Sequence, residues 1–294
     1  SNSLFNLPIK KNVYAMKSFN IFIDFVILSK KILKLKIHSY KKVSEIDIVA
    51  IRETISKDSF TVIRGLFDET ELIRKRKMIE KNFNNKNDIK HNPKDVHLAK
   101  KNIQKLVIGN ADGVWRFYRK LYNPLFNEDI YNMHDVFKVL IRVRNLLFGK
   151  EETFALDETT DNAWTCPMIT QYPCGGGFMA AHKDLGGALH VTDMGVSSFI
   201  QIILVMSQKG TDFRTGGAFV VHQGKTIFVE DNCKPGDIVL YDGTTKHGVD
   251  VIDSSKMLDL TSSEGRYTAM VPLFQELKSI DELYKFNKRF EKQM

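Results

Sequence analysis

The chain is poor in cysteine, with only Cys166, Cys174 and Cys233 among 294 residues. An odd number without metal-site or redox spacing argues against a disulfide framework and fits free thiols in a reducing compartment. Long apolar runs are also missing. The most apolar stretch near the start, residues 19–29, is interrupted by Asp24 and closed by Lys30-Lys31. It is too short to span a bilayer and no small-residue cleavage site follows, so neither a transmembrane helix nor a signal peptide is expected. The expected location is cytoplasmic, with no membrane partner. Internal repeats, low-complexity segments and any aromatic–basic module of the RNA-binding kind are absent as well.

What is there is ordinary for a soluble globular protein: 43% hydrophobic and 27% charged residues, on a chain long enough for one large domain or two small ones. The net charge of +8 favours acidic partners in general terms. Lys30-Lys31, Arg74-Lys75-Arg76-Lys77 and Lys100-Lys101 read as solvated faces, with a functional basic surface as the alternative.

Residues 20–38 are apolar and β-rich, one strand or a helix. Residues 44–56 keep apolar positions at helical spacing behind Ser44, and Phe60–Arg64 reads as a strand ended by Gly65. Asp68-Glu-Thr-Glu71 supplies an acidic start for a helix running towards Phe83. The Asn-, Lys- and Asp-rich residues 84–102 predict an exposed loop, either plain or a lid, with His91 and His97 as surface residues. Residues 113–149 hold two apolar groups, Trp115–Phe126 and Val136–Leu147, both expected to form helices, the second ending at Gly149.

From residue 160 the pattern changes to short β-rich runs divided by Gly and Asp turns. The expected strands are Thr165–Tyr172, Phe178–Lys183, Ser198–Ser207, Ala218–His222, Lys225–Val229, Ile238–Tyr241, His247–Val251 and Tyr267–Leu273. Eight strands suit a jelly-roll closure. The expected fold is mostly β with α-helical support, in a single domain. Residues 1–159 are the mainly helical N-terminal part, 160–275 a jelly-roll, cupin-like core, and 276–294 a C-terminal surface helix.

The chemistry concentrates in Thr170–Asp184. His182 and Asp184 are one residue apart, and on a strand residues i and i+2 share a face, so the pair can grip one metal ion. A third ligand is offered by His247, 63 positions after Asp184. Two histidines and one carboxylate on one side of a metal form the facial triad of non-haem Fe(II) oxygenases, with other positions open.

His182-Lys-Asp184, Gly216-Gly217-Ala-Phe-Val-Val, Lys234-Pro-Gly-Asp-Ile-Val-Leu-Tyr, His247 and Arg266-Tyr-Thr268 resemble, in order and approximate spacing, the Fe(II)/2-oxoglutarate-dependent dioxygenase superfamily over residues 160–275. Asp58–Leu72 is similar, more weakly, to the entry segment of its phytanoyl-CoA hydroxylase-like branch. The resemblance implies a double-stranded β-helix and an enzyme using Fe(II), 2-oxoglutarate and O2, with His182, Asp184 and His247 as ligands. Arg266, a planar two-pronged donor, is the implied partner of the co-substrate's distal carboxylate, helped by Thr268 on the same strand face. Arg266 follows His247 by 19 residues, which makes Asp253–Gly265 an inserted loop. Tyr172 is a further contact or a packed aromatic, and Gln201 lines the site or faces outward. In the related halogenases the carboxylate position is Gly or Ala; Asp184 therefore implies hydroxylation or another oxidation.

Residues 185–197, with His190 and Asp193, form a candidate substrate wall or a structural turn. The leading expectation is oxidation of an unactivated carbon in a small molecule. The alternatives are a hydroxylase or demethylase of protein or nucleic acid, for which the basic charge adds phosphate affinity, and a metal-binding barrel without turnover.

Overall fold

The computed structural model describes residues 35–89, 100–111, 113–185, 191, 194–196, 199–279, 281, 282 and 285. The apolar run at 19–29, His91, His97, His190, Asp193 and most of the expected C-terminal helix lie outside the described residues.

In chain order the elements are β1 (Ile37–Ser39), α1 (Ile48–Asp58), β2 (Phe60–Arg64), α2 (Glu69–Lys81), β3 (Asp88–Ile89), β4 (Ile103–Ala111), β5 (Val114–Tyr122) and α3 (His134–Phe148). They continue with β6 (Ala163–Thr165), β7 (Met168–Pro173), β8 (Phe178–His182), β9 (Ile200–Val205), β10 (Gly217–His222) and β11 (Lys225–Phe228). The last are β12 (Ile238–Asp242), β13 (His247–Asp250), β14 (Gly265–Met270) and β15 (Leu273–Gln275). The expected strands of the second half are all present. Thr165–Tyr172 and Tyr267–Leu273 are each divided, because β6 and β15 pair with each other and leave the main sheet.

Local sequence explains the helix ends. The side chain of Asp47, not Ser44, caps α1 by accepting from the Ala50 amide at 3.0 Å. Asp68 caps α2 through the Glu71 amide at 2.8 Å, with Glu69 and Glu71 in the first turn. Gly149 closes α3 in the left-handed conformation, φ 68°.

Two expectations fail. The Arg74-Lys75-Arg76-Lys77 cluster is not a solvated face, because Lys75 and Arg76 are buried and paired with Asp135 and Asp212. Trp115–Tyr122 is not a helix but β5, paired along its whole length with β4 in a hairpin. The N-terminal half is therefore not mainly helical support, since β1 to β5 all join the main sheet. The aromatic run is buried from Phe117 to Arg119 without alternation, which hides the strand period from the sequence.

Thirteen strands form one sheet, ordered β1-β2-β12-β9-β14-β7-β5-β8-β13-β10-β11, with β4 on β5 and β3 on β4. β5 turns the sheet back on itself. Arg119–Tyr122 pair with β7, while Arg116 and Phe117 pair with β8. Residues of β7, β9, β12 and β14 consequently face residues of β8, β10 and β13 across one internal cavity. This is a double-stranded β-helix, mostly β with few helices.

Side-chain alternation sorts the chemistry. Gln201 and Ile203 of β9, Arg266 and Thr268 of β14 and Thr170 and Tyr172 of β7 line the cavity. Their neighbours Ile202, Leu204, Tyr267, Ala269 and Ile169 point the other way and form the main core with Ile51, Leu72, Phe137, Leu140 and Leu147 of the helices. Leu140 is fully buried there. Leu140→Ala should cost about 2–5 kcal/mol in a urea titration, without changing affinity for a divalent metal.

The three cysteines are free and buried. The interval after β13 is anchored by Asp253, 3% exposed, whose Oδ1 accepts from the Arg214 amide at 2.7 Å and the Thr215 amide at 2.9 Å. Cys174 Sγ donates to its Oδ2 at 3.3 Å. Burial pushes this carboxyl up, but the backbone donors outweigh it and its pKa is lowered. A depressed carboxyl contributes stability above its unfolded-state value, near pH 4, and loses it as pH falls through the folded-state value. Asp253→Asn should therefore cost about 1–3 kcal/mol at pH 7, and the difference from wild type should shrink below about pH 4.

Candidate active site

The site begins at the end of β8, where His182 closes the strand and Asp184 follows it. Asp184 is held by its own amide, which donates to the Gly243 carbonyl at 2.8 Å. β13 pairs with β8 so that His247 stands directly opposite His182. The two rings lie 4.3 Å apart between centroids, and the ring of Tyr241 backs His247 at 4.4 Å. Candidate ligand atoms of His182, Asp184 and His247 lie within 4.8 Å of one another.

Each imidazole is oriented by its own backbone. His182 Nδ1 is 2.9 Å from the Ala180 carbonyl and His247 Nδ1 is 2.8 Å from the Thr245 carbonyl. A carbonyl only accepts, so both Nδ1 atoms carry the proton and both Nε2 lone pairs face inward. They meet Asp184, with Oδ1 3.3 Å from His182 Nε2 and Oδ2 3.3 Å from His247 Nε2. Three electron-rich acceptors facing one another need a cation between them. The donor set, two imidazoles and a carboxylate, suits a divalent transition metal. Burial pushes the Asp184 carboxyl up, but the Gln201 amide and the two imidazoles, when they carry a proton on Nε2 in place of a metal, outweigh it and hold it well below the usual carboxylate range.

Gln201 faces inward, and its Nε2 donates to Asp184 Oδ2 at 2.7 Å, leaving Oδ1 as the freer oxygen. Such outer contacts orient ligands. Gln201→Ala should weaken metal binding roughly 10- to 100-fold, measured by competition with a chelator.

The cavity above the triad has a volume of about 250 Å³. Arg266, Thr268 and Tyr172 all line it, alongside Arg116, Tyr118, Lys120 and Thr170. Arg266 does not stand free. Its Nε donates to Glu230 at 2.6 and 2.9 Å, and both side chains are 3% exposed. Its guanidinium also lies 5.0 Å from the Tyr172 ring centroid. Tyr172 is thus both packed and cavity-lining, its hydroxyl meeting the Met179 thioether at 3.9 Å. Burial raises the phenol pKa of Tyr172 and of Tyr241, so both stay neutral.

Glu230 went unread in the sequence, where it is one acid of a short turn after β11. Its Oε2 also accepts from the Ala218 amide at 2.9 Å. The Gly216-Gly217 pair does more than turn the backbone. Gly217 has φ 111°, and a Cβ there would sit 2.8 Å from Glu230 Oε2. The glycine makes room for the carboxylate.

A second cavity of about 170 Å³ also borders Asp184, Gln201 and Met270. Its walls are mostly apolar: Phe148, Val191, Phe199, Ile200, Pro272 and Phe274. Arg144 also borders it, donating to Asn145 Oδ1, Thr165 Oγ1 and the carbonyls of Val271 and Phe154. Burial lowers its pKa to about 9, which leaves it charged at neutral pH.

Comparison of the chain with models of known protein families and with curated proteins gives no match. Solved structures do match. A provisionally named oxygenase from Shewanella oneidensis aligns over 89% of this chain and 99% of its own, with a TM-score of 0.50 and 13% identity. An oxidoreductase of the 2OG-Fe(II) oxygenase family from Burkholderia pseudomallei covers 80% of this chain and 94% of its own, with a TM-score of 0.44 and 11% identity. A prolyl hydroxylase from Trichoplax adhaerens, solved with a peptide fragment of the hypoxia inducible factor oxygen degradation domain, covers 81% and 91%, with a TM-score of 0.47 and 12% identity. At such identities the likeness is one of fold. The fold is a double-stranded β-helix. A His-Asp-His group able to hold a metal ion stands within it.

Proposed function

We propose that this chain is an Fe(II)- and 2-oxoglutarate-dependent oxygenase that hydroxylates, or otherwise oxidises, an unactivated carbon of a small molecule. The observation that carries the reading is the inward-facing triad in the wall of a cation-lined cavity, with Asp184 bordering an apolar cavity as well. His182, Asp184 and His247 hold the metal from one side. When bound there, iron would supply the oxygen chemistry, dividing O2 between the substrate carbon and the keto acid, with succinate and CO2 as the co-products.

The remaining residues orient and exclude. Thr268 and Tyr172, with Arg266 locked by Glu230, shape the far end of the polar cavity where the distal carboxylate sits. The apolar walls formed by Phe148, Phe199 and Phe274 take the substrate and keep water from Asp184. A cavity of this size suits a compact apolar group. Residues 160–275 are the catalytic core in this reading, and β1 to β5 with α1, α2 and α3 complete one catalytic domain.

Anaerobic titration of the protein with Fe(II) and then 2-oxoglutarate tests it. A visible metal-to-ligand charge-transfer band is expected, weaker at equal co-substrate in Arg266→Ala. Bound iron with no band in the wild type would reject the co-substrate.

A further inference from the structure

Charge balance inside the barrel singles out a residue that the sequence motifs pass over. A keto-dicarboxylate brings two negative charges. One is met at the metal, where a divalent ion and Asp184 together carry +1. The other lies at the distal end, where the expected cation, Arg266, is already cancelled by Glu230 at 2.6 Å in a buried pair. A neutral pair orients an anion poorly matched in charge.

An inward row crosses the sheet beside that pair. Lys120 of β5 stands opposite Thr170 of β7, and Thr170 stands opposite Thr268 of β14. All three line the polar cavity. Among the described residues the Lys120 ammonium meets the ring of Tyr118, 5.4 Å from its centroid, and no carboxylate. Tyr118 packs edge-on against Tyr172 at 5.5 Å, and Tyr172 carries Arg266 on its own ring. The two cations thus bracket a tyrosine pair. Thr170 is 2% exposed, and its hydroxyl has no hydrogen-bond partner among the described residues. Buried hydroxyls are seldom left so. An uncompensated ammonium facing an orphaned hydroxyl defines a site for one anionic oxygen group.

We propose that Lys120 and the Thr170 hydroxyl hold the distal carboxylate of the co-substrate, Lys120 supplying the charge and the clamped Arg266 the shape. The proposal rests on the co-substrate reading above.

The test compares two keto acids on Co(II)-loaded protein by calorimetry: 2-oxoglutarate and 2-oxopentanoate, which has the same chain length without the distal carboxylate. Wild type should prefer 2-oxoglutarate. Lys120→Met keeps the aliphatic stem and removes the charge; it should weaken 2-oxoglutarate roughly 10- to 100-fold while moving 2-oxopentanoate less than about twofold. Thr170→Val, of nearly equal volume, should weaken 2-oxoglutarate alone, by roughly tenfold. Lys120→Arg should restore most of the preference. Unchanged Co(II) affinity in each variant shows that the barrel is intact. If Lys120→Met and Thr170→Val both keep the full preference, the Lys120 site is wrong while the co-substrate reading stands. If loaded wild type binds neither keto acid, the co-substrate reading fails and takes the Lys120 site with it.

Discussion

Glu230→Ala is expected to lower the unfolding free energy by about 3–5 kcal/mol, because it strands a buried guanidinium. Arg266 and Glu230 are each 3% exposed, so water cannot replace the lost carboxylate. The Ala218 amide loses its acceptor in the same step. Removing both charges should be milder than removing one. The double variant Arg266→Met with Glu230→Met is expected to recover at least half the loss, since an apolar pair of similar volume avoids the desolvation of two ions. Urea titrations of the two single variants and the double one check this directly. A loss below about 1 kcal/mol for Glu230→Ala would mean that the pair is solvated, as surface pairs are. The double variant should also bind 2-oxoglutarate more weakly than wild type, because the cavity wall has changed shape.

His247→Ala is expected to weaken divalent-metal binding on the order of a hundredfold or more, with Asp184→Ala at least as severe. Each removes one of three inward-facing donors, and neither has a described substitute within the cluster. Chelator competition with Fe(II) or Co(II), run anaerobically for iron, measures the loss. A thermal readout is independent of activity. A metal at a thousand times its dissociation constant stabilises the folded state by about 4 kcal/mol, so wild type should melt higher with metal and the variants should not. Acidification should weaken binding in wild type, because protons compete with the metal for the imidazole lone pairs. Retention of wild-type affinity in His247→Ala would remove the triad from the site.

The grouping of His182, Asp184 and His247, which could hold a metal, was legible because strand periodicity is short-range. The i, i+2 rule brought out His182 and Asp184, although the strand ends at His182 and Asp184 is set by its amide bond to Gly243. The later Gly-Asp-Ile-Val-Leu-Tyr strand placed His247 in a similar β context. The second-half strands were legible for the same reason, being alternating runs cut by glycine turns. Trp115–Tyr122 was not, since covering both faces of β5 erases the alternation that marks a strand. Gln201 was visible as an odd polar residue on an apolar strand, but only its 2.7 Å bond to Asp184 decides which way it points.

The linear chain by itself determined the donor chemistry and the β-rich core, because both depend on residue types and on spacings of a few residues. Tertiary structure alone decided the electrostatics of the cavity. Arg266 and Glu230 are 36 positions apart and meet through a gap left by Gly217. Lys120 reaches the site only because β5 bridges β7 and β8. The physical reason is that Coulomb forces and burial act across space, and folding sets those distances without leaving a local pattern in the sequence.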